Sequence, residues 1–310
     1  MHVTYARIVP GDATQRQKAP TAAAPASVIV PTVGRPGPLR AALQSLTACS
    51  PPPAEVIVVD QSHGGEVALV VEEFADTGIR AVTCSGRGIG LAINHGLRVA
   101  GNDLVFVTND DCTVAHDWLA VGTAAMAERP EGIVTGAVLP AGDPETVPSL
   151  QESLQPHDYT GEVECSALYG ANMAGSRKAL LGLGGFDERI VPSAEDNDLC
   201  YRWLKEKRPL RYLPELRIWH HDWRSPEQMR QVYLSYGAGQ GIFYAKHLRK
   251  GDLAVLRFLK RDLSWFADEI RASIRGRRRP AAQVAGTMAG LPRGLLRGLV
   301  GRPAVPRRPV

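Results

Sequence analysis

Short apolar runs alternate with segments of helical spacing in the first part of the chain. Val28-Ile29-Val30 and Val56-Ile57-Val58-Val59 are β-branched runs typical of buried strands, and 39–46 repeats apolar residues at helical spacing. A helix is predicted over 66–76 and a short strand over 81–84. This alternation predicts an α/β domain with a mostly parallel central sheet flanked by helices.

A fourth apolar run, at 104–107, is followed by the polar residues Asn109, Asp110 and Asp111. Ligands of open α/β sheets bind beyond the carboxyl ends of strands, where acidic side chains can hold a hard divalent cation against a diphosphate. Such a pair of acids also suits a helix cap or a solvated turn. The cluster alone leaves both interpretations open.

The glycine loop Gly86-Arg87-Gly88-Ile89-Gly90 leads into a helix with Ile93 and Leu97 on one face. Free N–H groups at a helix N-terminus can cradle a phosphate. A dinucleotide-binding loop would require glycine at position 91, where Leu91 stands, so that cofactor class is excluded. A plain helix start is the alternative interpretation.

The alternation loosens beyond Gly132. We predict a strand over 133–139, an extended segment over 166–174, and a helix that opens at Glu195-Asp196-Asn197-Asp198 and runs to about 206. Strands are predicted over 211–213 and again before His220-His221. No repeat of fixed period occurs, which excludes a solenoid.

Composition predicts a folded protein. The 310 residues, 44% of them hydrophobic, suffice for a full core. The five cysteines form no CxxC pair, which argues against a disulfide framework or zinc site and predicts buried thiols. Residues 1–26 lack the apolar core of a secretory signal and no run reaches the ~18 apolar residues of a membrane span, so we expect a flexible tail and a cytoplasmic protein.

The net charge of +4 is unevenly distributed. Residues 246–310 carry 16 Lys and Arg against 4 Asp and Glu, whereas 1–245 carry 20 against 28. We predict a basic, helical or irregular extension over 248–310 that meets water, anionic lipid or nucleic acid. The pattern over 279–302 is weakly amphipathic and suits a helix lying on a membrane. Nucleic acid is disfavoured, since the basic residues lack interleaved aromatics.

Six motifs occur in the order found in glycosyltransferase family 2, whose members have the GT-A fold and use nucleotide-diphospho-sugars. The resemblance covers about 27–247, and the shared order is more specific than any single motif. The motifs are Val28-Ile29-Val30-Pro31-Thr32, Val56-Ile57-Val58-Val59-Asp60-Gln61-Ser62, 86–94, Asn109-Asp110-Asp111, Gly184-Gly185-Phe186-Asp187-Glu188 and Glu195-Asp196.

The resemblance implies a nucleotide pocket. Asp60 takes the position that recognises the base and ribose, where a carboxylate accepts imide or hydroxyl protons, although a turn-forming role is the alternative. Gln61 stands where the family often has Asp or Asn, which leaves the base open. The predicted nucleotide-sugar-binding residues are Pro31, Thr32, Asp60, Arg87, Asn94, Asn109 and Asp110.

The resemblance also implies a metal site. Asn109-Asp110-Asp111 matches the family's DxD motif, whose outer positions approach a Mn²⁺ or Mg²⁺ that bridges the donor phosphates. The neutral Asn109 lowers the local negative charge, so we expect cation binding to depend more on the diphosphate. His220 is implied as a further ligand with His221 behind it, although a structural role for the pair is the alternative. Trp219, Trp223 and Arg224 are expected to stack on sugar, hold phosphate or pack in the core.

Glu195-Asp196 matches the family's catalytic pair. The resemblance implies that Asp196 is the general base that removes the proton of the acceptor hydroxyl, an effect worth typically 10² to 10⁴ in rate. Ser193 and Asp196 also have the spacing of a capping box, so stabilising the helix N-terminus is the alternative role of either acid.

We therefore expect an inverting, metal-dependent hexosyltransferase that acts on a glycan or lipid-linked acceptor in cell envelope polysaccharide synthesis, at the inner membrane face. One alternative is a sugar nucleotidyltransferase, which requires a glycine-rich basic loop after the first strand; residues 33–37 match such a loop only distantly. A non-catalytic nucleotide-sugar-binding protein is the other, because Asn109 weakens the metal motif.

Overall fold

One mixed sheet organises the chain in the computed structural model, which describes residues 22–62, 64–144, 146–221, 224–276 and 281–301. Nine strands are found in these ranges, as are nine α-helices. The strands are β1 Ala24–Thr32, β2 Pro53–Asp60, β3 Ile79–Thr83, β4 Leu104–Val107, β5 Cys112–Val114, β6 Ile133–Ala141, β7 His157–Tyr159, β8 Met173–Ser176 and β9 Leu210–His221. The helices are α1 Pro36–Thr47, α2 Glu66–Glu72, α3 Ile89–Val99, α4 Trp118–Glu128, α5 Arg177–Gly182, α6 Glu195–Lys205, α7 Pro226–Arg249, α8 Leu256–Ile274 and α9 Ala281–Val300.

The strands follow the order β3-β2-β1-β4-β8-β6-β9-β5, and β7 pairs with β9. The first four are parallel, and β8 pairs antiparallel with both β4 and β6. Thr32 at the end of β1 is in register with Asp60 at the end of β2. The segments that follow β1, β2 and β4 therefore leave the sheet at one edge, which is where an open α/β sheet binds ligands.

Helices cover both faces of the sheet. Leu39 and Leu43 of α1 and Trp118 of α4 belong to the buried cluster on one face. Ile93 of α3 and Leu199 of α6 belong to the cluster on the other. The fully apolar runs in β1, β2 and β4 follow from this arrangement, since a strand covered on both faces has no polar side.

The C-terminal helices form a third packed layer. Tyr201 of α6, Phe243 of α7, Phe258 and Phe266 of α8 and Leu291 of α9 share a buried cluster. Helix α9 lies against α7 at backbone distance through glycines on both helices. A Cβ atom on Gly294 would stand 1.8 Å from the carbonyl oxygen of Ala238, and one on Gly237 would stand 2.1 Å from that of Thr287.

Several predicted boundaries differ from the structure. Strand β1 begins at Ala24, and α2 ends at Glu72. The segment predicted as extended over 166–174 forms a strand only from Met173. The two strands predicted before His220 are one strand, β9, whose pairing with β6 shifts at Pro214, a residue without an N–H to donate.

All five cysteines are free and buried, as predicted. None of the described helices has the length and apolarity needed to cross a membrane. Most of the predicted tail, residues 1–21, lies outside the described residues. Within the predicted amphipathic segment, Leu295 packs inward, whereas Leu296 and Leu299 are exposed.

Candidate functional site

Two buried carboxylates mark the carboxyl edge of the sheet. Asp110 and Asp111 follow β4 and are nearly inaccessible to solvent. The Thr32 hydroxyl at the end of β1 donates to Oδ2 of Asp110 at 2.6 Å. The structure thus brings together three residues that the sequence places in the donor site.

Two arginines neutralise these acids. The Arg35 guanidinium bridges both carboxylates, through Nε and Nη2 to Asp110 and through Nη1 to Asp111. Nη2 of Arg224 donates to Oδ2 of Asp111 at 3.0 Å. Arg35 reaches the acids from the β1–α1 loop, which turns at Gly34 with a φ of +89° that favours glycine.

The two carboxyl groups have opposite pKa shifts. Burial raises the pKa of Asp110 above its usual range, and the Arg35 charge only partly offsets this. Burial acts in the same direction on Asp111, but the hydrogen bond from His220 and the charges of Arg35 and Arg224 hold the pKa of Asp111 well below its usual range. Asp111 is therefore the carboxylate that stays ionised.

The surroundings of Asp111 fit a divalent cation. Nε2 of His220 lies 3.5 Å from Oδ2 of Asp111. Asn109 Oδ1 is buried and makes no hydrogen bond with any described residue. Asp111, Cys112 and His220 place potential ligand atoms within 4.8 Å of one another. Burial, reinforced by Asp111, raises the pKa of the Cys112 thiol well above its usual range. The better donors for a divalent cation are therefore the oxygens of Asp111 and Asn109 and the imidazole nitrogen of His220.

The side chains of His220 and His221 point to opposite sides of β9 and have different neighbours. His220 lies beside Asp111, while Nε2 of His221 lies 3.1 Å from Oγ1 of Thr113 on β5. The alternation of side chains along β9 produces this division. His220 is thus the histidine on the acidic side.

Asp60 closes a turn at the end of β2. Its Oδ1 accepts from the backbone N–H of Ser62 at 2.8 Å and from the Ser62 hydroxyl at 2.6 Å. One carboxylate oxygen of Asp60 therefore has the turn-forming role that was the alternative interpretation. Gln61 donates to the carbonyl oxygens of Gly86 and Gly88 and so ties the end of β2 to the glycine loop.

The other two residues predicted in the nucleotide pocket lie on or after this loop. Arg87 is exposed between Gly86 and Gly88. Asn94, in α3, is buried and donates to the carbonyl of Phe186 and to Glu188, and it accepts from the Phe186 N–H at 2.9 Å. Its amide thus anchors the Gly184–Glu188 motif, and direct contact with a nucleotide stays a prediction.

The predicted catalytic acids open α6. Asp196 is half-buried and accepts from the N–H groups of Gly170 at 3.2 Å and Asn197 at 2.8 Å. Glu195 is buried, and its Oε2 has no hydrogen-bond partner among the described residues. Burial raises the pKa of both, with the Asp196 charge adding to the shift of Glu195.

The alternative capping box is not formed at this helix. The N-cap position is Ala194, in a left-handed conformation with φ of +71°. The Ser193 hydroxyl donates instead to the carbonyl of Ser235 at 2.9 Å. Asp196 therefore has no reciprocal partner in Ser193.

Tyr236 of α7 lies near charged groups of the candidate site. Burial raises the pKa of its phenol to about 12, and the charges of Asp196 and Asp111 add to this shift, while the hydrogen bond with Ser149 and the charge of Arg224 oppose it. Tyr236 lies on α7 in no recognisable motif, and the sequence had no signal for it.

A buried ionic network holds α7 against α6. Asp198 accepts from Arg202 at 2.7 Å and lies 2.9 Å from Nε2 of His247, and Lys246 bridges Asp198 and Asp187. The hydrogen bond with His247 and the charges of Lys246 and Arg202 lower the pKa of Asp198 to about 2, despite its burial. The network positions the helix that carries Tyr236.

Two of the remaining expected site residues, Pro31 and Trp219, are buried or partly buried. Pro31 lies buried at the end of β1, and Trp219 packs partly buried against the core. Trp223 lies outside the described residues. Arg35 was missed as a site residue, although its loop was noted as basic and glycine-containing.

Comparisons with known proteins agree with this architecture. Residues 27–180 match the family model Glycosyl transferase family 2. A glucosyl-dolichyl phosphate glucuronosyltransferase of Haloferax volcanii is 27% identical over 155 residues, which cover 47% of this chain and 50% of the relative. The chain thus spans about half the length of this curated relative.

Two solved structures show the same fold. The mannosyltransferase PcManGT of Pyrobaculum calidifontis, in complex with GDP-Man and Mn²⁺, has a TM-score of 0.64 and 20% identity, covering 89% of this chain and 88% of that one. Residues 1–349 of TarS from S. aureus give a TM-score of 0.52 and 19% identity, covering 69% and 65%. The GT-A fold expected from the sequence is confirmed.

Proposed function

Because residues 27–180 form a glycosyltransferase family 2 domain, we propose that the protein transfers a sugar from a nucleotide-diphospho-sugar to a hydroxyl of a glycan or lipid-linked acceptor, with inversion. The observation that carries this proposal is the buried acidic edge of the sheet, where Arg35 and Arg224 both bond Asp111 beside His220. In this proposal Asp111 serves the donor side and Asp196 serves the acceptor side.

The donor end supplies positive charge for a diphosphate. The guanidinium groups of Arg35 and Arg224 both reach Asp111 and can exchange that carboxylate for phosphate oxygens. Asp111, Asn109 and His220 would hold a divalent cation, Mn²⁺ or Mg²⁺, and a bound cation would withdraw negative charge from the leaving diphosphate. The Mn²⁺ in the complex of PcManGT supports this assignment.

The acceptor end supplies the base. Asp196 takes the proton of the acceptor hydroxyl as the hydroxyl oxygen forms its bond to the anomeric carbon and the bond from that carbon to the diphosphate breaks. A pKa raised by burial brings the carboxylate closer to the pH at which a general base works best. The N–H groups of Gly170 and Asn197 orient the carboxylate for this role.

We infer the acceptor class from the name of one relative, and the location of the protein from that relative and the charge of the C-terminal extension. The dolichyl phosphate in the name of the Haloferax relative favours a lipid-linked acceptor. Together with the basic C-terminal extension, it supports a peripheral protein on the cytoplasmic membrane face with a role in the cell envelope.

Two experiments test the function. A thermal-shift panel of UDP, GDP and dTDP, with and without Mn²⁺, identifies the nucleotide, because a ligand that binds only the native state raises its melting temperature. With the identified donor, Asp196→Asn is expected to lose transfer and keep donor binding, whereas the exposed Asp76→Asn should behave as wild type.

The outcomes separate the alternatives. A nucleotidyltransferase would instead form the sugar nucleotide and pyrophosphate from a sugar phosphate and a nucleoside triphosphate. A binding protein would shift in melting temperature but show no turnover with any acceptor. Full transfer by Asp196→Asn would contradict the assigned base.

A further inference from the structure

One face of α8 presents a row of large apolar side chains to solvent. Leu256, Leu263, Ile270 and Ile274 are 43%, 53%, 42% and 81% exposed. Their spacing of seven, seven and four residues places them in one row along the helix. Phe258 and Phe266 of the same helix are buried in the third core cluster. We call the row of four residues the α8 stripe.

Basic residues border the α8 stripe. Lys260 and Arg271 are exposed and each lies three positions before a stripe residue, in the adjacent row. Of the three acids of α8, Asp262 accepts from the Tyr244 hydroxyl at 2.6 Å, Glu269 is buried, and Asp268 is exposed and pairs with Arg271 at 2.8 Å. An apolar row with a cationic edge matches the interfacial region of an anionic bilayer, where acyl chains meet charged headgroups.

Helix α8 is joined to the candidate base by a chain of hydrogen bonds. Asn197, next to Asp196, donates to Gln240 at 2.8 Å, and Gln240 donates to the Tyr244 hydroxyl at 2.8 Å. Tyr244 then bonds Asp262 of α8. The orientation of the α8 stripe is therefore fixed relative to the acceptor end of the site.

We propose that the α8 stripe is the surface by which the protein docks on an anionic lipid bilayer. The charge selects a bilayer over a second copy of the chain, because pairing two stripes would bring the bordering rows of Lys260 and Arg271 close together. The inference deepens the peripheral location proposed above and assigns it to α8 instead of the 279–302 segment. Docking through α8 would hold the site at the headgroups of a lipid-linked acceptor.

Vesicle flotation of the full chain, without donor, tests this proposal. We expect binding to phosphatidylglycerol-containing vesicles and little to pure phosphatidylcholine, with binding falling as salt rises. Leu263→Glu combined with Ile270→Glu should reduce binding at least tenfold. Leu69→Glu combined with Leu154→Glu, at positions 63% and 83% exposed outside α8, is the matched control and should bind as wild type. Lys260→Ala and Arg271→Ala should each weaken binding about fivefold.

The outcomes are distinguishable. Equal binding by the stripe variant and the control, or no flotation of the wild type, would overturn the proposal. A dimer in sedimentation that the stripe variant disperses would do the same, because it would identify a second copy as the occupant. Circular dichroism melting checks that the variants fold. Transfer to a soluble acceptor should survive in the stripe variant, so loss of docking is separable from loss of the proposed function.

Discussion

Nη1 of Arg35 lies 2.9 Å from Oδ2 of Asp111. This ion pair places a protein cation on the carboxylate that is the best candidate for a metal ligand. The guanidinium and a divalent cation would therefore compete for one oxygen. An incoming diphosphate relieves the competition, because it offers the guanidinium another anionic partner.

Arg35→Ala should bind free Mn²⁺ more tightly than wild type, because one competing cation is removed. The same variant should bind the nucleoside diphosphate about 10- to 100-fold more weakly, since a charge-assisted hydrogen bond contributes about 1.5–3 kcal/mol. Mn²⁺ electron paramagnetic resonance and calorimetry measure the two affinities. Arg40→Ala, which removes an exposed pair with Glu73, is the control. Weaker Mn²⁺ binding by Arg35→Ala would show that Arg35 does not compete.

The pH profile of transfer should show an acid limb above the usual carboxyl range. Burial raises the pKa of Asp196, and a general base acts only when it is deprotonated, so the rate falls as the pH drops through this raised value. Glu195→Gln should leave the limb in place, because Asp196 is the assigned base and the substitution keeps a side chain of the same shape beside it. The measurement is kcat/KM against pH for both proteins. An acid limb near pH 4 would contradict the raised pKa.

Asp198→Asn should destabilise the protein by about 3–5 kcal/mol, because Arg202 and Lys246 would lose a fully buried counter-ion. The control Asp268→Asn, which breaks an exposed pair with Arg271, should cost less than about 1 kcal/mol. Urea unfolding measures both.

The free energy of unfolding should depend on pH through the same carboxylate. The folded pKa of Asp198, about 2, is below the unfolded value of ~3.9. Its contribution is therefore present above pH 4 and is lost as the pH falls towards 2, by about 2.5 kcal/mol. An unfolding free energy that falls equally in wild type and Asp198→Asn over this range would argue against the assignment.

Gly294→Ala should destabilise the protein by about 1–3 kcal/mol or more, since the added Cβ would stand 1.8 Å from the carbonyl oxygen of Ala238 and push α9 from α7. Gly182→Ala, where an added Cβ meets nothing within 4 Å, is the matched control and should be neutral or stabilising. Thermal melts of the two variants should differ clearly. Equal melting temperatures would mean that the helices are not packed at backbone distance.

Local pattern was enough to predict the sheet and its acidic edge. The runs at 28–30 and 56–59 become central strands because they are apolar on both faces, and Asp110 and Asp111 follow β4 as a parallel topology requires. The pairing of Arg35 with both acids was not predictable, because it depends on the backbone turn at Gly34 and on contacts far apart in sequence.

The C-terminal region was predicted less well. Apolar residues recur at helical spacing over 256–274 in the sequence. The amphipathic helix was nevertheless predicted over 279–302, because that segment has a basic composition. Which apolar face a helix buries is decided by its neighbours, and the glycines of α7 and α9 reveal their role only when the two helices are opposed.

The close seating of α9 on α7 bears on where this catalytic unit ends. A chain shortened to 247 would lose α9 and leave the backbone at Gly237 and Gly241 without the neighbour that fills it. Because α7 also carries Tyr236 and Lys246, which pairs with Asp198, we expect such a truncation to disturb the packing of α7 against α6. Helix α9 therefore supports α7, and a shortened form of the enzyme should retain it.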